Sequence, residues 1–104
     1  VKQTYNKLVR DLIPDIITAK GEIPATRILN DQDFLRELDT KLQEEVNEYR
    51  ADQNIEELAD ILEVIHGILD AKGVTFAELE KLRIDKAKKR GDFKKRIFLE
   101  TVTR

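Results

Sequence analysis

Glu45 and Glu48 are three positions apart, as are Glu57 and Asp60. On an α-helix, residues at that spacing share a face. The two pairs flank a short polar break, Ala51-Asp52-Gln53-Asn54. If that break joins two antiparallel helices, Glu48 and Glu57 lie equally far from its middle, as do Glu45 and Asp60, and four carboxylates converge. Two carboxylates ~4 Å apart repel by about 4 kcal/mol at an effective dielectric of roughly 20. A cluster of four must therefore protonate, splay into water or hold cations. An all-oxygen donor set suits Mg²⁺, Mn²⁺ or Ca²⁺, and metal-bound phosphate oxygens are the usual reason for such a site.

The elements that must position these acids are readable from apolar spacing. Asn30 or Asp31 can cap a helix over residues 33–51, with Phe34, Leu35, Leu38, Leu42, Val46 and Tyr49 as its apolar stripe and Glu45 at the margin of that stripe. Asn54-Ile55-Glu56-Glu57 has the form of a capping box, and opens a helix that runs to Lys72 before Gly73. Its stripe is broad: Ile55, Leu58, Ile61, Leu62, Val64, Ile65, Ile68 and Leu69. Glu57 falls in line with Ile61, Val64 and Ile68, where a charge is costly unless paired or ligated. A capping role explains a glutamate there without any chemistry, whereas the mirrored placement of Glu48, and of Asp60 with Glu45, points to a site. The two roles are compatible.

On the N-terminal side, Lys7–Lys20 has Leu8, Val9, Leu12, Ile13, Ile16 and Ile17 at helical spacing. Pro14 is tolerated only in a first turn, so a turn carrying Lys7, Arg10 and Asp11 should precede a short helix that ends at Gly21. Thr75-Phe76-Ala77-Glu78 is a second capping box, opening a helix to Arg90 that Gly91 ends. Two segments read as extended, around residues 27–29 and around 96–102 with Ile97, Phe98, Leu99 and Val102, and they are candidates to pair with each other.

Length and composition narrow the class. A chain of 104 residues suggests one domain, residues 1–104. Without cysteine it has no disulfide framework, zinc-thiolate site or cysteine nucleophile, which fits a cytoplasmic protein. Neither a membrane span nor a signal peptide is readable. The numbering starts at Val1 and Met is absent, so an initiator is expected to have been removed or to lie outside the numbering. The net charge of -2 hides an asymmetry. Asp31–Glu63 carries twelve acids against three bases, and Lys81–Arg96 nine bases against two acids. A basic tail alone would suit nucleic acid; the acidic half argues against that partner. The fold class expected is all-α, a helical-hairpin-based four-helix bundle. The Ile61, Val64 and Ile68 line is expected to stay uncovered in a small monomer, which predicts a homodimer that completes the bundle.

These residues resemble the all-α nucleoside triphosphate pyrophosphohydrolases, the superfamily of MazG, the phosphoribosyl-ATP pyrophosphohydrolases and the dimeric dUTPases. The signature is an ExxE helix followed by an ExxD helix, here Glu45-Val46-Asn47-Glu48 and Glu57-Leu58-Ala59-Asp60, each preceded by an extra acid, Glu44 and Glu56. More specific are the opening YNKLVRDLIPDII and the closing KAKKRGDFKKRIFLE, which are similar to a MazG-like subgroup of small single-domain proteins. The chain departs from the pattern in a shorter link between the two motifs and in Gly91-Asp92, where the subgroup tends to have Gly-Gly before Phe. The resemblance implies Mg²⁺, or Mn²⁺, on Glu45, Glu48, Glu57 and Asp60, with Glu44 or Glu56 as a proton acceptor. It also implies phosphate-binding cations at Lys7, Arg10, Lys86, Arg90 and Arg96, and allows a tetramer as well as a dimer. The implied reaction is hydrolysis of a nucleoside triphosphate between the α and β phosphates, as in house-cleaning of the nucleotide pool; phosphoribosyl-ATP is the alternative substrate.

Other readings compete. Glu63-Val64-Ile65-His66 fits the Glu-x-x-His pattern of di-iron bundles, but the single His would require two copies, and Glu63 lies on the polar side of its helix. A helical interaction module with purely surface charges is the non-catalytic reading. Tyr5, Phe34, Tyr49, Phe76, Phe93 and Phe98 could each stack on a base, yet each is more simply a packing aromatic.

Overall fold

A computed structural model describes every residue, Val1–Arg104. The fold is all-α, with four helices and no strand: α1 (Ile13–Ala19), α2 (Asp31–Asp52), α3 (Ile55–Lys72) and α4 (Phe76–Arg90). The chain separates into two compact units, Val1–Gly73 and Val74–Arg104.

In the first unit, helix–helix packing of the bundle kind joins α2 to α3. Asn30 starts α2 by accepting the Asp33 N–H at 2.8 Å, the side-chain cap that frees Asn from its poor helix propensity. Only Gln53 and Asn54 separate α2 from α3. Gln53 closes α2 in the left-handed region (φ 55°), where its N–H reaches the Tyr49 carbonyl at 2.7 Å. Such a two-residue link forces the helices back alongside each other. Leu38 of α2 is the most buried apolar side chain, at 4% exposure, followed by Val64 and Leu69 of α3. Its Cδ2 lies 2.9 Å from where a Cβ on Gly67 would stand, so the missing side chain at Gly67 is what lets Leu38 press onto the α3 backbone. α1 opens with Pro14 in its first turn, consistent with the ring's fixed φ and missing N–H.

In the second unit, Thr75 caps α4 by accepting the Glu78 N–H at 3.1 Å. Beyond Gly91, Asp92 Oδ1 accepts the Lys94 N–H at 2.9 Å, and the Arg96 N–H closes a turn on the Phe93 carbonyl at 3.0 Å.

Two expectations are corrected. Neither 27–29 nor 96–102 forms a strand, and no β-pairing joins them; Arg96 itself is left-handed at φ 57°. So short a two-stranded pairing is marginal in water. The Ile61, Val64 and Ile68 line is not left uncovered: Val64 is buried, and Ile61 and Ile68 are half-buried. The exposed apolar stripe of α3 is instead Ile55, Leu58 and Leu62.

Candidate metal centre

The register of the α2–α3 pair decides which acids meet. One carboxylate oxygen each from Glu45 on α2 and from Glu57 and Asp60 on α3 lie within 4.8 Å of one another. Glu45 is the one buried charged residue, 7% exposed, in a stretch of α2 that otherwise buries Leu38. Its Oε2 and that of Glu57 are shielded from solvent with no hydrogen-bond partner, and shielded acceptors left without a donor are costly. Glu48 stands exposed at the side of this triangle, close enough to act on both glutamates.

The electrostatics follow. Desolvation is the largest cause that raises the Glu45 carboxyl above the ordinary glutamate value; the nearby Glu48 comes next, Asp60 adds to it, and Lys41 opposes it. Glu57 is also raised, first by desolvation, then by the nearby charge of Glu48, and by Asp52 and Asp60. In both, the low-dielectric surroundings and like charges disfavour ionisation together.

The capping question resolves on distances. Asn54 accepts the Glu56 N–H at 3.1 Å through its side chain and the Glu57 N–H at 3.1 Å through its carbonyl. The Glu57 carboxylate takes no part in this cap, so its inward position is not explained by one.

Two cations touch the cluster. Arg10 Nη2 lies 2.6 Å from Asp60 Oδ1. Lys41 Nζ lies 3.3 Å from Glu44 Oε2 and 3.6 Å from Glu45 Oε1, which ties Glu44 to the same corner of α2. Lys41 was not singled out in the sequence, although its place four residues before Glu45 on the same helical face is the available signal. Glu56 is exposed on the first turn of α3, and Lys7 is exposed with its Nζ 5.8 Å from the Tyr5 ring centroid. Glu63 is exposed and His66 half-buried.

The donor set fits a hard divalent cation. All three ligands are carboxylates, one is buried, and two of their oxygens have no other partner. An ion there would supply the missing interaction and cancel the repulsion that raises both glutamates.

The second unit carries the remaining predicted cations. Lys86 and Arg90 line a shallow groove of about 550 Å³ together with Arg83, Ala87, Gly91, Asp92 and Phe93. Arg83 is ion-paired to Glu80 within α4. Phe93 is almost wholly exposed. Arg96 is exposed in the turn that follows.

Comparison with known proteins gives a partial likeness. The chain is 51% identical over 45 residues to an uncharacterized protein of Mycolicibacterium smegmatis (strain ATCC 700084 / mc(2)155). The match covers 43% of this chain and 46% of that protein, so the chain spans about half the length of the curated relative it matches. No protein-family model matches. No solved structure matches.

Proposed function

We propose that the chain is a divalent-metal-dependent hydrolase of nucleoside triphosphates that cuts between the α and β phosphates to give a nucleoside monophosphate and pyrophosphate. The observation that carries this reading is Glu45, a buried glutamate with an unpartnered oxygen in a triangle with Glu57 and Asp60. The resemblance of the ExxE and ExxD helices to the pyrophosphohydrolase signature supplies the reaction. Glu45, Glu57 and Asp60 would hold Mg²⁺ or Mn²⁺, with Glu48 alongside; when bound, the ion supplies positive charge against the phosphate oxygens and favours ionisation of water.

The chain's own residues do the rest. Glu48, exposed at the side of the triangle, would add to the carboxylate set, and Glu44 or Glu56 would accept the proton of the attacking water. Lys41 fixes Glu44 and Glu45 on one corner of α2. Within the first unit Lys7 and Arg10, and within the second Lys86, Arg90 and Arg96, are cations of the kind polyphosphate binding uses, with arginine suited to bidentate contact. No helix is long and apolar enough to cross a membrane, and we place the protein in the cytoplasm as a homodimer.

The test is a pyrophosphate-release screen with Mg²⁺ across the canonical triphosphates, dUTP, damaged nucleotides and phosphoribosyl-ATP. Turnover of at least one of them, lost in Glu45→Ala and Asp60→Ala, is the expected result. Equal turnover in these variants and the wild type would refute the assignment.

A further inference from the structure

We propose that Arg10 and a divalent cation exclude one another at Asp60, so that loading the carboxylate triangle releases Arg10, and with it the N-terminal turn, from α3. This rests on the metal-site reading above and concerns the regulation of that same site. Arg36–Asp33, Lys41–Glu44, Lys41–Glu45 and Arg83–Glu80 each join neighbouring turns of one helix. Arg10–Asp60 is different in kind: it spans 50 positions and ties the turn before α1 to the middle of α3 at 2.6 Å.

The carboxylate it uses is also one corner of the triangle. One side chain therefore serves two cation sites. Arg10 engages only Asp60, and Oε2 of the buried Glu45 and Oε2 of Glu57 remain without a partner. A divalent ion taking all three carboxylates interacts with three charges where the guanidinium interacts with one, and it repels a guanidinium that shares a ligand with it. The pair is easily displaced, because its side chains are 55% and 40% exposed, and an exposed ion pair strengthens an equilibrium by about five-fold at most. Val9 and Leu12 of the turn are exposed; Leu8 is half-buried and the Ile13 N–H donates to the Arg10 carbonyl at 3.1 Å, so the ion pair adds a tie to α3 that these local contacts do not make.

The experiment uses the full chain with Mn²⁺ alone as the probe. Mn²⁺ affinity is measured by calorimetry for the wild type, Arg10→Gln and Glu45→Gln, and hydrogen exchange of the Ile13 amide, which donates to the Arg10 carbonyl, is followed with and without Mn²⁺. The expected result has three parts. Glu45→Gln binds Mn²⁺ more than about ten-fold more weakly, and Arg10→Gln binds it up to about five-fold more tightly. The wild-type Ile13 amide exchanges faster when Mn²⁺ is present, a response that Arg10→Gln lacks. Equal or weaker binding by Arg10→Gln would overturn the inference, since Arg10 would then orient Asp60 for the ion. Unchanged or slower exchange in the wild type would overturn it too, even with tighter binding by the variant, because loss of a positive charge alone tightens cation binding. If Glu45→Gln binds Mn²⁺ as the wild type does, or neither binds it, the metal-site reading itself fails and the inference falls with it.

Discussion

Glu45 shows how a single residue can oppose stability and still specify a site. Burial and the neighbouring Glu48 and Asp60 raise its carboxyl, and Glu57 is raised for similar reasons. A glutamate whose folded value lies above its unfolded value binds more protons in the folded state. Stability therefore falls as pH rises from roughly 4.3 through the raised values, and the loss is complete above them. Glu45→Gln removes that term for one residue. In buffer containing a chelator, the variant is expected to melt higher than the wild type at pH 8, with the difference shrinking toward pH 4; thermal denaturation followed by circular dichroism measures it, and a variant that melts lower at pH 8 would contradict the account. At this scale the sequence was partly legible. Spacing placed Glu45, Glu57 and Asp60 on facing helices, and the apolar line through Ile61 and Val64 marked Glu57 as inward-facing. The exposure of Glu48 and the Arg10–Asp60 contact were not legible, because they depend on side-chain direction and on chain folding over a long separation.

The α2–α3 hairpin makes the triangle possible, and its ends were readable because they use local chemistry. Asn30, Asn54 and Thr75 each accept a backbone N–H from the following turn, and Gly73 ends α3 at φ 71°. The link was less readable. Gln53 adopts a left-handed conformation that favours Gly or Asn, so sequence alone left a four-residue break where the structure has two residues between helices. The suggested strand pairing is absent for another reason: apolar β-branched residues mark a strand only when a partner strand is available. The register itself depends on Leu38 packing onto Gly67. Leu38→Ala is expected to destabilise the protein by about 2 to 5 kcal/mol, read as a lower urea midpoint with an unchanged slope. A loss below about 0.5 kcal/mol, the range of a surface substitution, would mean that this contact does not set the hairpin.

For the molecule as a whole, the small core is the governing fact. Leu38, Val64 and Leu69 are its only buried apolar residues, while Ile55, Leu58 and Leu62 form an exposed line on α3, and Leu12 before α1 and Ile16 on it are exposed. Apolar surface of this kind is commonly covered by a second subunit. Light scattering is expected to give a dimer, and the double substitution Leu58→Glu with Leu62→Glu to give monomer; a monomeric wild type would contradict this. The proposed metal would give the buried carboxylate of α2 the partner that its Oε2 lacks. The most direct measurement is anomalous diffraction from crystals grown with Mn²⁺. The account predicts a peak between Glu45, Glu57 and Asp60, with a carboxylate oxygen of each within bonding distance. Those three carboxylates turned apart, with no peak between them at saturating Mn²⁺, would contradict it.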